Sequence, residues 1–314
     1  KSVSVEWKTP TGNFRFVSDD KKFLKVVFDK TDIVCYAKKD SSLILETKGE
    51  FLPLEQLWLG SGGIVPWHRA NFDISEASAK LKSYEINLKK SAYTADSVFF
   101  DYERFSDKPI PGRLEEKIVA INDTSRIKYP KFISYEKRFN VPNIYKGINY
   151  EGGFAMHGAK FIGSGTEKED VFLEILYKDS VFLRAGSQSF LFKRDMIIAQ
   201  NTTVTFYLDT DSIYHPGLEF KFSIKNRTLT LNRNGIGIEK SPYFNTFHQI
   251  DMDFEVLEWK IDNPKILFKA KKGNSEATAF FESNDFFSEE RYKNIQGMDD
   301  VHPFVSVYKF ARSE

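Results

Sequence analysis

Short runs that alternate apolar and polar residues, spaced roughly ten residues apart, fill the chain from Val171 to Arg233. Val181-Phe182-Leu183-Arg184, Phe190-Leu191-Phe192-Lys193, Thr203 to Leu208, Phe220 to Ile224 and Leu229 to Asn232 follow one another. A period of two marks strands with one buried face: Phe220, Phe222 and Ile224 point one way, Lys221 and Ser223 the other. Between the runs lies turn chemistry, at Ala185-Gly186-Ser187, Asp209-Thr210-Asp211 and Lys225-Asn226-Arg227. The same pattern occupies residues 3–60, at Val3 to Trp7, Phe14 to Phe16, Val26 to Phe28, Ile33 to Tyr36 and Leu43 to Glu46. It predicts an all-β, mainly antiparallel protein, built as a sandwich, a β-taco or a solenoid-like stack of strands.

Two β-rich units are expected, over residues 1–128 and 150–272, the second opening at Tyr150-Glu151-Gly152-Gly153. From about Asp101 to Asn149 the alternation dissolves among Pro109, Pro111, Pro130 and Pro142, which predicts a crossing segment, placed at 129–149. Asp73 to Leu81 predicts a short helix, capped by Asp73 or Ser75, with Ala77 and Leu81 at i,i+4. Residues 273–314 read as a C-terminal segment with helices. One is expected over Ser283 to Gln296 and another from Pro303, where Phe304, Val307, Tyr308 and Ala311 form one apolar face. Such a helix at the end of the sequence, and Lys1 rather than Met at its start, predict a segment of a longer chain. Asp-Ser followed by an apolar run recurs at Asp40, Asp96, Asp179 and Asp211, a repeated turn-into-strand device with uneven spacing.

The 30 Phe and 14 Tyr suit sheets, where flat rings pack across strands. A formal net charge of +1 excludes the basic footprint that nucleic-acid binding needs. The single cysteine, Cys35, excludes an internal disulfide and reads as a small buried hydrophobe. No run approaches the roughly 18 apolar residues of a membrane helix.

Little of the chemistry-bearing inventory forms a pattern. His68, His157, His215, His248 and His302 lack metal-ligand spacing, with His215 expected in a turn, and no cofactor motif occurs. Gly60-Ser61-Gly62-Gly63 lacks the Gly-Lys-Ser/Thr ending of a phosphate loop and predicts a tight turn flanked by packed tryptophans. Asn122, Asn201 and Asn226 begin Asn-x-Thr sequons, relevant only in a eukaryotic secretory pathway. The rings of Trp58, Trp67 and Trp259 are candidate ligand-binding platforms. Asp251-Met252-Asp253-Phe254-Glu255 resembles the Glu-x-Asp-x-Glu strand of laminarinase-like glycoside hydrolases, jelly-roll enzymes. That resemblance implies a nucleophile at Asp251, a helper at Asp253 and an acid/base at Glu255. It covers under a dozen residues, and Asp251 is one methylene shorter than the family's Glu. Cα atoms four residues apart on a strand are roughly 13 Å apart, whereas retaining catalysis needs carboxyl groups about 5–5.5 Å apart, so lost reach matters. The plainer reading places Met252, Phe254 and Val256 in the core and the acids on a wet face.

Two longer stretches resemble segments of very large Bacteroidetes envelope proteins: residues 42–100, especially Thr47 to Phe51 and Tyr93 to Val98, and Tyr150 to Gly165 with Asp211 to Pro216 downstream. The resemblance carries no activity, and implies a periplasmic or outer-membrane location within a longer parent chain. The succession of strands with small-residue and Ala-Asp-Ser turns is also similar to the OstA-like β-taco domains of lipopolysaccharide-transport bridge proteins, which hold acyl chains between two sheets. Val171 to Tyr177, apolar on both faces, would fit a strand lining such a groove or an ordinary sandwich core. The expected function is therefore a non-enzymatic envelope module, structural or adhesive or carrying a lipid or glycolipid in a β-groove. The alternative is a carbohydrate-binding or glycoside-hydrolase-like jelly roll using Asp251, Asp253 and Glu255. Lipid, glycolipid or glycan are the expected partner classes, with the rest of the parent chain.

Overall fold

Alternation of buried and exposed side chains governs nearly every element of the computed structural model, which describes residues 5–9, 13–18, 24–37, 40–118, 128–233, 237–271, 278–284, 289 and 311. Twenty-six strands are joined edge to edge among the described residues, and every pairing is antiparallel. The protein is all-β.

The ladder sorts into three hydrogen-bonded runs. One begins at Phe14–Ser18 and passes through the first half of Leu24–Ala37, the second half of Asp40–Leu52, Leu57–Ser61, Ser83–Asn87 and the start of Ala92–Tyr102. A second begins at Glu6–Lys8 and ends at Ile266–Lys269, continuous through Lys131–Ser134, Lys160–Ser164, Ser189–Phe192, Thr228–Asn232 and Val256–Lys260. The third starts at Phe139–Tyr145, runs through Ile148–Gly152, Val171–Tyr177, Ser180–Ser187, Tyr243–Asn245 and Ile250–Phe254, and ends at Ala279–Ser283. Rings from different runs meet in the interior: Trp7 with Tyr93 at 6.3 Å, Tyr150 with Phe192 at 5.5 Å, and Phe254 with Phe268 at 4.1 Å. One apolar cluster extends from Val26 to Ile261.

Long strands stitch the layers together by bending from one run into another. Leu24–Ala37 pairs with Phe14–Ser18 at one end and with Glu6–Lys8 at the other. Its pairing with Asp40–Leu52 slips on both sides of the Thr31–Thr47 pair, where Glu46 has φ 51°. The hairpin of Met196–Leu208 and Asp211–Ser223 repeats the device, slipping on both sides of Thr202 beside Asn201 at φ 48°. Thr31, Thr47 and Thr202 are buried. Bulges of this kind sharpen twist and let one strand serve two packed sheets.

Turn chemistry is borne out at several positions. Lys178 and Asp179 both have positive φ between the paired Tyr177 and Ser180, as a two-residue hairpin with strand-matching twist requires. Gly62 and Gly63, at φ 70° and 116°, turn the chain between Leu57–Ser61 and Ile64–Pro66. The Asp-Ser device opens strands after tight turns at Asp179 and Asp211, whereas Asp96-Ser97 forms a bulge inside Ala92–Tyr102. Gly186 sits within a strand rather than a turn, and an added Cβ would come within 2.9 Å of the Phe172 ring.

Two expectations are corrected. Asp73 to Leu81 is one hydrogen-bonded turn, with Ala77 N–H donating to Asp73 C=O, followed by the strand Ala77–Leu81. Ala77, Ala79 and Leu81 are all buried, so the period-two pattern prevails over the i,i+4 pair. The stretch from Asp101 to Asn149 carries the strands Ser106–Lys117, Lys131–Ser134 and Phe139–Tyr145 rather than an irregular crossing. The helices expected over 283–296 and from 303, with Asn122 and His302, lie outside the described residues apart from isolated positions.

Candidate functional site

The Asp251-to-Glu255 run does not form one continuous strand face. Ile250–Phe254 ends where the chain bends at Glu255, and Val256–Lys260 pairs with different neighbours. Asp251 lies opposite Phe244 and Glu282. Asp253 is ion-paired with the Arg233 guanidinium at 2.6 Å and accepts a hydrogen bond from its Nη2 at 3.0 Å, and Glu255 accepts the Lys271 N–H at 2.8 Å. Met252 and Phe254 take the inward positions, as the plainer reading requires. The alternate-residue display of three acids that the glycosidase resemblance demands is broken between Asp253 and Glu255.

The tryptophan platforms are corrected as well. Trp58, Trp67 and Trp259 are 4%, 0% and 2% exposed, so none offers an open ring face. Each indole N–H donates internally: Trp58 to the Tyr84 hydroxyl at 3.4 Å, Trp67 to Gly158 C=O at 2.9 Å, Trp259 to Asn263 C=O at 2.9 Å. These rings seal the space between layers, as the expected packing of tryptophans around Gly60 to Gly63 anticipated.

Two buried polar nodes gather the titratable groups of the interior instead. The first gathers on Arg69, which a 3-10 turn at His68–Ala70 projects inward between Ile64–Pro66 and Ala77–Leu81. Its Nη1 donates to Glu116 Oε1 at 2.6 Å, and its Nη2 and Nε donate to Asp40 Oδ2 at 2.6 and 3.1 Å. The Arg69 and Glu116 side chains are 5% and 1% exposed. Burial pushes the Glu116 carboxyl up from the ordinary range, opposed by the Arg69 guanidinium and the Lys117 N–H. Ser42, Tyr93 and Cys35 complete the surroundings. Burial, reinforced by the Glu116 charge, pushes the Cys35 thiol up to about 12, which suppresses the reactive thiolate. Cys35 is thus inert in this setting, in line with its expected role as a buried hydrophobe.

The second node surrounds His215, fully buried in Asp211–Ser223 at the layer-switching irregularity rather than in a turn. Gly217 N–H donates to Nδ1 at 3.1 Å, which leaves Nε2 to donate to Ser241 C=O at 2.9 Å. Both ring nitrogens are occupied, so neither accepts a proton without breaking a bond. Burial lowers the imidazole to about 4. Its ring lies 4.6 Å from Tyr243, tilted by 56° to it, and Tyr243 in turn stacks 4.3 Å from Phe254. Arg233 and Asp253 flank this column.

Two surface cavities add little chemistry. One of about 840 Å³ lies at the first corner, lined by Thr31, Leu45, Ile64 and Ile74 under the Lys30–Glu46 ion pair. The other, about 400 Å³, lies beside Arg138, Asp170, Phe172 and Gln188. There Phe172, an outward residue of Val171–Tyr177, is covered by the Arg184 guanidinium 4.0 Å from its centroid, while Val171, Leu173 and Ile175 fill the core. Among the described residues no three His, Cys, Asp or Glu side chains are grouped to hold a metal ion. Compared with known proteins, the chain matches no family model, no curated protein and no solved structure.

Proposed function

We propose that the chain is a structural or adhesive module of a bacterial cell envelope, acting as a non-enzymatic scaffold within a longer parent protein. The observation that carries the scaffold reading is the interior. Apolar side chains of facing runs fill one continuous core, with rings of different runs meeting at Trp7–Tyr93, Tyr150–Phe192 and Phe254–Phe268, and the buried polar groups of Arg69, Glu116 and His215 are engaged in holding strands together. The envelope location rests on the resemblance of residues 42–100 and 150–165 to Bacteroidetes envelope proteins. Between a plain scaffold and a lipid carrier, the packing favours the scaffold, because Val171, Leu173 and Ile175 already contact protein where an acyl chain would lie. Native mass spectrometry of protein extracted from its own membranes tests this: the apo mass is expected, and a stoichiometric lipid adduct would replace the scaffold by the carrier. Fractionation of the source cells tests the location, since recovery in the cytosol would remove it.

A further inference from the structure

The outer face of the third run carries a second set of rings, set apart from the core. Tyr207, Tyr214 and Phe244 are 40%, 38% and 38% exposed and come from three neighbouring strands, Met196–Leu208, Asp211–Ser223 and Tyr243–Asn245. Tyr214 lies opposite Phe244 on one side and Thr205 on the other. Tyr207, two residues from Thr205 on the same face, is the diagonal neighbour of Tyr214, roughly 7–8 Å away. The Tyr214 and Phe244 rings are near-parallel, 24° apart in plane, with centroids separated by 6.4 Å. Alternation fixes their direction, since Val204, Phe206, His215 and Tyr243 take the adjoining buried positions. Ser212 N–H donates to Thr246 Oγ1 at 2.9 Å and Thr246 Oγ1 donates to Asp211 Oδ1 at 3.0 Å, which ties two of the strands together beside the rings. The rings thus stand on paired strands instead of a loop, and a ligand covering them has little to order.

The surroundings separate this face from an ordinary apolar patch. Thr205 and Ser212 flank the tyrosines, and Asp251 lies opposite Phe244. From Thr203 to Tyr207, from Ser212 to Tyr214, and at Phe244 and Asp251, no outward residue is aliphatic or basic. The hydroxyls of Thr205 and Tyr214 and the Asp251 carboxylate have no hydrogen-bond partner among the described residues. A protein or an acyl chain would need aliphatic contacts here, and an anionic ligand would need cations. Rings bordered by open hydroxyls and a carboxylate fit a ligand that is apolar on its faces and hydroxylated at its edges. We propose that this face binds a neutral glycan. Sugar C–H faces rest on Tyr214 and Phe244, while sugar hydroxyls donate to Asp251 and exchange hydrogen bonds with Thr205 and the tyrosine hydroxyls. The Asp251 charge turns away carboxylated and sulfated glycans.

This names a ligand for the adhesive half of the reading above, on which it rests only in taking the chain as a non-enzymatic module. Native gels cast with laminarin, xylan, galactomannan or dextran test it on the full chain, with polygalacturonate as the charged comparison. At least one neutral polysaccharide is expected to retard the wild-type chain, and polygalacturonate is not. Tyr214→Ala and Phe244→Ala, at exposed positions outside the core, should each weaken retention about tenfold or more. Asp251→Ala should weaken it by a similar factor. Unchanged urea midpoints in these variants separate a lost contact from a lost fold. Tyr36→Ala, which removes a similarly exposed ring from Leu24–Ala37, should leave retention unchanged. Retardation by no neutral polysaccharide, or equal retardation of wild type and Tyr214→Ala, overturns the proposal and leaves the scaffold reading standing. A wild-type dimer in sedimentation velocity that Tyr214→Ala returns to monomer also overturns it, because the face would then be a contact between copies. Reducing sugar released from a retarding polysaccharide would support the glycan site while removing the non-enzymatic reading.

Discussion

The Arg69 node and the His215 node lie near opposite ends of one ladder and solve the same problem in opposite ways. Both place a titratable group among aromatic rings at a point where regular pairing is interrupted. Around Arg69 the charges are kept and paired: one guanidinium spans Glu116, at the end of Ser106–Lys117, and Asp40, at the start of Asp40–Leu52. Around His215 the charge is removed: the imidazole is held neutral by a donor on one nitrogen and an acceptor on the other. The paired node joins three segments distant in sequence, whereas the neutral one ties Ser241 to a single strand and closes on Gly217 of that same strand. The difference implies that the first depends on a charged partner as the second does not, and that the two respond to pH with opposite signs.

The sharpest way to break the comparison is to remove the paired cation. Arg69→Met leaves Glu116 buried without its counter-charge, and the expected loss is about 3–5 kcal/mol of unfolding free energy. Urea titration monitored by tryptophan fluorescence measures it. Arg69→Met with Glu116→Leu removes both charges and should recover most of the loss, because the desolvation cost goes with them. A double variant as unstable as the single one would show that Arg69 acts through packing rather than charge.

The pH response should separate the nodes by sign. His215 falls from 6.5 to about 4 in the folded chain, so the unfolded state binds more protons between those values. Its contribution is present above pH 6.5 and is lost as pH falls through about 4, a change of about 3 kcal/mol. Glu116 is shifted up, chiefly by burial, so its effect has the other sign: stability is fully present below the ordinary carboxyl value and declines as pH rises through the raised one. Unfolding midpoints across pH should therefore show His215→Gln flattening the acid-side loss and Glu116→Gln flattening the opposing slope. An unchanged acid limb in His215→Gln would place the loss elsewhere.

How much of this was legible in the sequence depends on whether a residue's role is set by its neighbours in the chain. The strands were, because Phe220, Phe222 and the residues between them declare a period of two locally. The short helix at Asp73 failed because Ala77 and Leu81 fit both periods, and only partners in Ile64–Pro66 and Ala92–Tyr102 decide between them. Glu116 did leave a trace. It falls in phase with Leu114 and Ile118, both fully buried, so alternation alone places an acid on the inward face. Arg69, in a loop-like stretch, left none, since its partners come from positions 40 and 116. The aromatic platforms misled for a related reason: the residue type that binds ligands at a surface is also the one that fills a sheet interior.

The smallest expected effect belongs to Arg233 and Asp253, the pair that borders the His215 column and contains the middle acid of the carboxylate run. Their contact, at 2.6 Å, is as short as those of Arg69, but the Asp253 side chain is 50% exposed against 1% for Glu116. Water screens an ion pair open on one side and rehydrates whichever partner is left. Asp253→Asn should therefore cost less than about 1 kcal/mol by urea titration, several-fold below Arg69→Met. It also bears on the glycosidase reading, in which the middle acid assists a nucleophile: hydrolysis of a β-glucan that is present in wild type and lost in Asp253→Asn would revive that reading. A loss of stability near that of Arg69→Met would instead show that the pair is sealed, and that exposure does not separate the two nodes.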